Sequence, residues 1–598
     1  MTGSALFFTP GRDAAPHNGC PCDEAGWSLA LEHPARVHVA TDLAEVPSLL
    51  QTAERAARAG MYVAFAVAYE AAPAFDPAHT VRSTPGLPLA WAAEYAAPAP
   101  APAPAPAPSP SSEAHWRLSD WRCAVSRQDY DQALLRIREA IRQGETYQVN
   151  YTVPFDAVFS GSPQALARDL AARQGRCFAA CLELGPLTLV SLSPELFFLR
   201  RGRQVLVRPM KGTAGRGRHL AEDGQLAAAL AACPKNRAEN VMIVDLLRSD
   251  LGRVAVPGSV RVDALFTVER YATLLQMTSS ISATLREDVD LAGLFAALFP
   301  CGSVTGAPKI RTMELIAALE AAPRGFAYGA IGFLLPGGDA ICNVPIRTIA
   351  LAGDQARFFV GGGVTHDSVA AAEYDECVTK MAFLTRPPRR FRLLESLLLR
   401  DGALWLLERH LDRLRDSAAW SGHVFREDRV RATLAGLATA HPQGRWKVRL
   451  LLDPDGALET QLLPLPGTRP RRPILGLARE PVCSDDPLLF HKTDARGTYE
   501  SALAAAPGCD DVVLWNERGE VTETCHGNIV LRLDGRLCTP HRDCGLLPGT
   551  LRAELLDRGL LNERVVAVAD LARASALWMI NSVRGWRRAA LRQSESDT

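Results

Sequence analysis

Two lysines stand in settings suited to chemistry that arginine cannot perform. The chain has 66 basic residues, and all of them are arginines except Lys211, Lys235, Lys309, Lys380, Lys447 and Lys492. Arg stays protonated, whereas Lys can lose its proton in a desolvated site and then act as a nucleophile. Lys211 lies in Arg-Pro-Met-Lys-Gly-Thr and Lys492 in Phe-His-Lys-Thr-Asp-Ala-Arg. These two lysines are therefore the first candidates for catalysis.

Carboxylates are grouped in the same half of the chain as Lys211. Glu373, Glu376 and Lys380 have the spacing of side chains on one helical face, and Glu239 is expected to open another helix. Carboxylates brought together are costly unless a hard cation neutralises them, and Mg²⁺ is the natural occupant. For any single Glu, a solvated helix face is the simpler interpretation.

Anion-binding signals accompany these carboxylates. Gly302 to Pro308 leads into a helix with Pro308 expected at its first position, where free N–H groups favour an anion. Gly361–Gly363 would let the backbone approach a ligand closely, although a glycine run is more often a turn. Arg347 could clamp a carboxylate with two hydrogen bonds.

The second half has the parts of a pyridoxal phosphate site. Such a site needs a lysine, an acid facing the pyridine nitrogen, backbone N–H groups for the phosphate, and a cation. Lys492, Glu523, the turn Gly549-Thr550-Leu551 and Arg413 can fill these roles.

Periodic patterns predict the elements that must position these residues. Ser126 is expected to cap a helix that ends at Gly144, and a strand is expected over 146–159. Further helices are expected over 238–249, from 308 onward, and over 370–383. The pattern indicates an α/β (α+β) fold.

Composition changes divide the chain. An Ala-Pro repeat over 97–112 predicts an extended linker or loop, and the Pro- and Arg-rich stretch near 387 predicts the main boundary. We expect a framework region at 1–96, a catalytic domain at 113–386 and a second domain at 387–598.

The bulk composition excludes several function classes. Formal net charge is zero, and no basic run interleaved with aromatics suggests nucleic acid. Neither a membrane span nor a signal peptide is expected. The 14 scattered cysteines, with Cys20 and Cys22 the closest pair, lack zinc spacing and favour a reduced cytoplasm.

Several strings together resemble the chorismate-utilising enzymes. The resemblance covers about residues 115–385 and rests on Gly144–Asn150, Ser193–Leu196, Pro209–Thr213, Glu239–Leu246, Gly302–Lys309 and Gly361–Lys380. It implies two stacked sheets flanked by helices, binding Mg²⁺ and chorismate.

The resemblance also assigns roles to residues. It implies that Glu195 is a general acid, that Lys211 is a nucleophile, and that Glu239 and Glu376, with Glu373 nearby, bind metal. It implies substrate contacts at Gln148, Thr213, Gln276, Thr305, Tyr328, Arg347, Gly361, Gly362, Gly363 and Lys380.

The family contains several activities. Members that add water carry Lys where this chain has Gln148, and anthranilate synthases usually carry Ala in place of Lys211. Lys at that position is typical of the aminodeoxychorismate branch, and Gln276 is familiar there. The alternative is an anthranilate synthase-like domain fused to a branched-chain or D-amino-acid aminotransferase. A non-catalytic ligand-sensing or partner subunit is a further alternative, which the intact acid and lysine set disfavours.

Residues 391–590 resemble class IV aminotransferases, the fold-type IV pyridoxal phosphate enzymes. The resemblance is specific at Lys492, Glu523 and Gly549–Arg552. It implies cofactor contacts at Lys492, Glu523, Arg413, Asn528, Gly549, Thr550, Leu551 and Ser582. The group includes branched-chain and D-amino-acid aminotransferases and aminodeoxychorismate lyase, and local sequence does not separate them. Fusion to the first half favours the lyase, because the first half would make its substrate.

These resemblances imply a bifunctional enzyme that converts chorismate through aminodeoxychorismate to 4-aminobenzoate and pyruvate, for folate. No Gly-x-Cys-x-Gly nucleophile turn is present. We therefore expect a separate glutamine amidotransferase subunit to supply ammonia. A homodimer through the C-terminal domain is also expected, because class IV relatives are often dimers.

Overall fold

The computed structural model describes residues 3–9, 26–84, 86–99, 116–385, 391–466 and 472–592. These residues form two compact units. The first holds the described residues up to 385 except 216–226, and the second holds 216–226 and 391–592. Most of the expected Ala-Pro linker and the expected boundary near 387 lie outside the described residues, so the domain limits stay predictions.

The first unit is built on two sheets of ten strands each. One sheet runs, in spatial order, through Gly306–Ala307, Gln148–Gly161, Gln355–Val364, Thr348–Ala352, Leu187–Ser193, Phe178–Glu183, Ala5–Phe8 and Leu29–Leu31, with Trp116–Leu118 and Arg122–Cys123 also paired to the long strand. The other runs through Met210–Gly215, Leu274–Thr284, Gln204–Arg208, Leu196–Arg201, Ala340–Asn343, Ala330–Leu334, Tyr62–Val67, Ala90–Tyr95 and Arg36–Ala40, with Arg261–Arg270 on the second strand.

The strand Tyr62–Val67 shows why the two sheets stack. All but its first residue are buried, and successive side chains of a strand point to opposite faces. Val63, Phe65 and Val67 pack into one core cluster. Ala64 and Ala66 pack into another, together with residues of the first sheet such as Phe7. A strand that is apolar on both faces therefore places this sheet between helices and its partner sheet, which confirms the expected sandwich.

Helices cover the outer faces of the sandwich. In this unit they are Glu45–Arg58, Arg127–Arg142, Pro163–Gln174, Pro234–Gly252, Leu291–Leu298, Lys309–Leu319 and Ala370–Thr385, with short 3₁₀ helices at Tyr69–Ala74 and Gly302–Val304. The helix Leu220–Ala232 crosses the division at residue 226. Ser126 caps its helix as expected, because its Oγ accepts a hydrogen bond from the N–H of Asp129.

Two helix starts differ from expectation. Glu239 does not open a helix: the helix begins at Pro234, whose missing N–H costs nothing at a first-turn position. Pro308 is not the first helical residue but the cap, with extended backbone, and Lys309 begins the helix. The expected strand also begins later, at Gln148 rather than 146.

The second unit contains a small and a large sheet. The small sheet orders Ala403–Leu404, Leu393–Arg400, Arg445–Leu452 and Leu458–Pro464. The large sheet orders Val521–Thr524, Asp511–Trp515, Ile474–Leu477, Gly585–Leu591, Ala576–Asn581, Asn528–Leu533, Arg536–Pro540 and Asn562–Arg564. Its helices are Leu407–Ser421, Glu427–Ala440, Gly497–Ala504, Thr550–Asp557 and Asp570–Arg573, with 3₁₀ turns at Pro487–Leu489 and Arg542–Cys544.

The described residues contain neither a disulfide bond nor a helix that could span a membrane. The cysteines that the structure describes are free thiols, and Cys20 and Cys22 lie outside the described residues. Across the described ranges, each helix is too short or too polar to cross a bilayer.

Candidate active sites

The first candidate site lies where strands of the two sheets face each other. Lys211 is on Met210–Gly215 of one sheet, and Gly363 is near the end of Gln355–Val364 in the other. A Cβ built on Gly363 would stand 3.2 Å from the Lys211 Nζ and 2.5 Å from the Gln148 Nε2. A side chain at residue 363 would therefore occupy the space beside the Lys211 amine and the Gln148 amide.

The Lys211 amine is poised to act as a nucleophile. Burial lowers its pKa, against the opposing charges of Glu239 and Glu195. A lysine with a lowered pKa carries more neutral amine near neutral pH. Gln148 lies beside it, and neither atom of the Gln148 amide has a hydrogen-bond partner among the described residues. A buried amide left without partners is costly, so this one is suited to a polar ligand.

Glu195 has the properties of a general acid. It is buried, and desolvation raises the pKa of its carboxyl to about 7. The Ser303 hydroxyl donates to its Oε1 at 2.6 Å, and its own N–H donates to the Ser193 Oγ at 3.1 Å. A carboxyl held in this way can be protonated near neutral pH and donate that proton.

The three expected metal ligands are close enough to affect one another. The charges of Glu373 and Glu376 raise the pKa of Glu239, as does burial, which is the larger cause. Glu376 pairs with Lys380 at 2.7 Å, and Glu373 accepts from the Ser368 hydroxyl at 2.6 Å. Among the described residues no group of three His, Cys, Asp or Glu side chains is gathered closely enough to bind a metal as it stands. The oxygen donors of these three carboxylates suit Mg²⁺ in type.

The remaining expected substrate contacts are distributed around this site. Lys380 donates to the Gly361 carbonyl at 2.8 Å, beside Gly362. Gln276 bridges Thr213 at 3.0 Å and the Gly212 carbonyl at 2.9 Å.

Three further expected contacts lie against neighbouring protein groups. Thr305 Oγ1 donates to the Cys301 carbonyl at 3.2 Å. The Tyr328 ring lies under the Arg324 guanidinium. Burial lowers the pKa of Arg347 to about 10, and its guanidinium lies over the Phe383 ring.

Sequence reasoning missed Ser303 and Asn240 as individual residues. Ser303 lies inside the glycine-rich string that was identified, and a hydroxyl there was a usable signal. Asn240 follows the expected metal ligand Glu239, and its Oδ1 accepts from Ser279 at 2.6 Å. Its Nδ2 is buried with no partner among the described residues. A second buried amide nitrogen without a partner among these residues therefore follows Glu239 directly in sequence.

The second candidate site pairs Lys492 with Glu523. Burial lowers the pKa of Lys492 to about 8, and Arg413 is the next largest cause. Desolvation raises the pKa of Glu523 to about 7. Tyr499 donates to Glu523 at 2.9 Å, and the Leu547 N–H donates to the same oxygen at 3.2 Å. The acid is thus fixed in place by a tyrosine that sequence reasoning did not identify.

The expected phosphate cradle forms as a turn before a helix. Gly549 is the cap of Thr550–Asp557, so the first N–H groups of that helix, including those of Thr550 and Leu551, are available. A Cβ on Gly549 would stand 2.0 Å from the Asn528 Oδ1. Asn528 in turn donates to the Leu547 carbonyl at 2.8 Å. This close approach explains why glycine is needed at this turn.

The guanidinium of Arg413, the expected cation, is held by hydrogen bonds to neighbouring residues. Arg413 donates to both oxygens of the buried Glu395, at 2.8 and 2.7 Å, and to the Pro548 carbonyl at 3.2 Å. His410 bridges Glu395 at 2.6 Å and Thr550 at 3.2 Å. Ser582 lies near the small sheet, with its hydroxyl 3.4 Å from the Ser396 carbonyl. Lysine, acid, turn and cation are therefore of the types that pyridoxal phosphate needs, and their roles at the cofactor stay predictions.

Substitution of Gly549 by Ala should weaken cofactor binding by about 5- to 150-fold, since a displaced buried amide costs roughly 1–3 kcal/mol. The dissociation constant for pyridoxal phosphate, from an absorbance titration of the full chain, measures this. Gly436→Ala, in a helix where the added Cβ meets nothing within 4 Å, is the matched control. Equal affinities for the two variants would show that the Gly549–Asn528 contact does not shape the cradle.

Comparison with known proteins agrees with the family expected for each half. Residues 24–386 match the family model for chorismate binding enzymes, and residues 392–591 match amino-transferase class IV. An aminodeoxychorismate synthase of Streptomyces griseus is 45% identical over 250 residues, covering 42% of this chain and 35% of that protein. Aminodeoxychorismate synthase component 1 of Escherichia coli (strain K12) is 40% identical over 263 residues, covering 44% of this chain and 58% of that protein.

A solved structure shows the fold of the first half. Anthranilate synthase component I of Streptococcus pneumoniae TIGR4 aligns with a TM-score of 0.50 at 22% identity, covering 64% of this chain and 90% of that one. The match to the chorismate binding model takes in more than half of the sequence. This chain therefore belongs to the chorismate binding enzymes, and a class IV aminotransferase domain follows that region in the sequence.

Proposed function

We propose that this chain makes 4-aminobenzoate from chorismate in two steps. The first half would replace the C4 hydroxyl of chorismate by an amino group, giving 4-amino-4-deoxychorismate. The second half would eliminate pyruvate from that product and leave the aromatic ring. One observation carries the proposal: each half has a half-buried lysine with a lowered pKa near a carboxyl with a raised pKa.

In the first step Lys211 and Glu195 would act together. The neutral Lys211 amine attacks ring C2 while the C4 hydroxyl departs, and Glu195 gives that hydroxyl a proton so that it leaves as water. Ammonia then bonds to C4, the C2–nitrogen bond breaks, and the amine of Lys211 is released. Arg347 and Lys380 would hold substrate carboxylates, and Gln148, Thr213, Gln276, Thr305, Tyr328 and Gly361–Gly363 would form the rest of the wall.

The proposal includes a Mg²⁺ ion bound in the first site. Glu239, Glu373 and Glu376 would supply its oxygen ligands, and the metal would offset the charge of a substrate carboxylate. Burial raises the pKa of Glu239 and the charges of Glu373 and Glu376 add to the rise, and this supports the proposal because a cation would offset their repulsion.

In the second step pyridoxal phosphate would withdraw electrons from the carbon that bears the amino group. Glu523 would face the pyridine nitrogen, while Arg413, Ser582 and the Gly549–Leu551 turn would hold the phosphate, with Asn528 shaping the turn. Lys492 would take and return a proton at the reacting carbons, for which a pKa near 8 is well matched.

We further propose a separate glutamine amidotransferase subunit that supplies ammonia. The matched regions cover about a third to three fifths of the length of the relatives described above, and one of these is named a component 1. A cytoplasmic location, a homodimer through the second domain and the domain limits 1–96, 113–386 and 387–598 complete the proposal.

The two halves can be tested separately. Supplied aminodeoxychorismate should give 4-aminobenzoate and pyruvate in equal amounts, and chorismate should be aminated when ammonia is supplied. Glutamine should replace ammonia only when an amidotransferase subunit is added. Efficient glutamine use by this chain alone would refute the partner, and transamination without pyruvate release would refute the lyase assignment.

Glu195 gives the amination step a defined pH dependence. The acid works in its protonated form, so kcat/KM should fall as pH rises through its pKa of about 7. In the wild type the hydrogen bond from Ser303 stabilises the charged carboxylate of Glu195 and lowers its pKa. The Ser303→Ala variant lacks this bond, so the decline should move to higher pH. A bond to a charged group contributes about 1.5–3 kcal/mol, which corresponds to a shift of roughly one to two pH units.

A pH series of kcat/KM with ammonia corrected for its own ionisation measures the shift. Thr433→Ala, which removes an exposed hydroxyl from a helix of the second unit, is the control. An unmoved decline in Ser303→Ala would show that Glu195 is not the group titrating.

A further inference from the structure

Residues 216–226, which we call the bracing segment, lie in sequence between Lys211 and Glu239 but belong to the unit that holds Lys492. Two ion pairs stiffen it: Arg216 with Asp223 at 2.6 Å and Arg218 with Glu222 at 3.0 Å. The same carboxylates accept the N–H groups of Gly217 and Arg218, at 2.7 and 2.6 Å. The segment therefore presents its carbonyl groups in a fixed arrangement.

The bracing segment contacts the end of the helix Leu407–Ser421 through Trp420. The Trp420 Nε1 donates to the Gly217 carbonyl at 2.9 Å, and Arg216 donates to the Trp420 carbonyl at 2.8 Å. The Arg216 guanidinium also lies over the indole ring, 5.3 Å from its centroid. These reciprocal bonds fix the indole plane.

Trp420 and the bracing segment together hold His491. The indole stacks on the imidazole with centroids 4.3 Å apart. The His491 Nε2 is 3.1 Å from the Arg218 carbonyl, which can only accept, so this nitrogen carries the proton. The Nδ1 then accepts from the Ser417 hydroxyl at 2.9 Å. Burial lowers the pKa of His491 to about 4, so a neutral ring with one tautomer occupies this position.

His491 directly precedes Lys492, whose own carbonyl accepts from the Leu394 N–H at 2.8 Å. The backbone at the lysine is thus held on one side by the small sheet and on the other by the imidazole. We propose that the bracing segment positions Lys492 through His491, so that Arg216, Gly217 and Arg218 act as positioning residues for the second active site. This inference rests on the proposed function, because it assigns the segment a role in the pyridoxal phosphate step.

Gly217 offers a clean way to disturb the segment. A Cβ at residue 217 would stand 2.5 Å from the Asp223 nitrogen and 2.7 Å from the Glu222 carbonyl carbon, both backbone atoms that cannot rotate away. A Cβ on Gly224, in the same segment, meets nothing within 4 Å. Gly217→Ala and Gly224→Ala therefore form a matched pair in the full chain.

We expect Gly217→Ala to increase amide hydrogen exchange over residues 484–494 and to weaken pyridoxal phosphate binding. It should also lower kcat for supplied aminodeoxychorismate by about tenfold, the size of effect expected for losing one or two buried hydrogen bonds. Gly224→Ala should match the wild type in all three measurements.

Two substitutions of His491 distinguish a role in positioning Lys492 from a purely structural role. His491→Gln keeps an N–H that can reach the Arg218 carbonyl, whereas His491→Leu keeps bulk without a donor. The Leu variant should lose kcat with little change in KM, and the Gln variant should recover most of it.

These measurements distinguish failure of the positioning role from failure of the proposed function. If wild type converts aminodeoxychorismate but Gly217→Ala and His491→Leu equal their controls, the positioning role is wrong. If wild type binds pyridoxal phosphate without making 4-aminobenzoate, the proposed lyase is wrong, and hydrogen exchange and cofactor affinity still decide the role of the segment.

Discussion

Replacing Lys492 by Ala is expected to stop 4-aminobenzoate formation while chorismate is still consumed and aminodeoxychorismate accumulates. Lys492 is half-buried, the charges of Arg413 and Glu523 act on its amine, and its pKa near 8 suits proton transfer at neutral pH. Loss of a positioned proton carrier costs about 10²–10⁴-fold, and loss of the bond to the cofactor adds to that.

Chromatography of a time course with chorismate, ammonia and Mg²⁺ measures both compounds. Arg429→Ala removes an exposed cation from the same unit and should behave as wild type. The Lys492→Ala protein should also lose the visible absorption that lysine-bound pyridoxal phosphate gives. Continued release of 4-aminobenzoate at the wild-type rate would show that Lys492 is not the catalytic lysine of this half.

Replacing Lys211 by Ala is expected to lower amination of chorismate by at least about 10²-fold, because the proposed step loses its nucleophile. The cavity left would be bordered by Gln148 and Gly363, neither of which is a nucleophile. Supplied aminodeoxychorismate should still be converted at the wild-type rate, which provides the internal control for folding.

Amination rates with saturating ammonia, read from the aminodeoxychorismate and 4-aminobenzoate formed, measure the effect. Undiminished amination at C4 in Lys211→Ala would contradict a covalent role for the lysine. It would also remove the main argument against the anthranilate alternative, since that argument depends on Lys211.

Local signals predicted the local geometry of both halves well. Ser126 caps its helix, Lys380 meets Glu376 one turn away, and Gly549 precedes a helix whose N–H groups are free. These features depend on residues within a few positions of each other, where spacing alone determines which side chains are neighbours. The starts of two helices were misplaced because Pro can stand at the cap or in the first turn.

Contacts between distant residues could not be read from spacing. Ser303 and Glu195 are 108 positions apart and meet only because strands of one unit fold together. The placement of Arg216 and Gly217 against Trp420 is similar, since these residues are more than 200 positions apart. The motif strings supplied the candidate site residues, whereas the residues that support Glu195, Glu523 and Lys492 could be found only from the fold.

The most direct test identifies the aromatic product of the full chain supplied with chorismate, ammonia, Mg²⁺ and pyridoxal phosphate. The proposed function predicts 4-aminobenzoate, with pyruvate in equal amount. Anthranilate as the aromatic product would contradict it, because amination would then have occurred at the ring carbon next to the carboxylate rather than at C4.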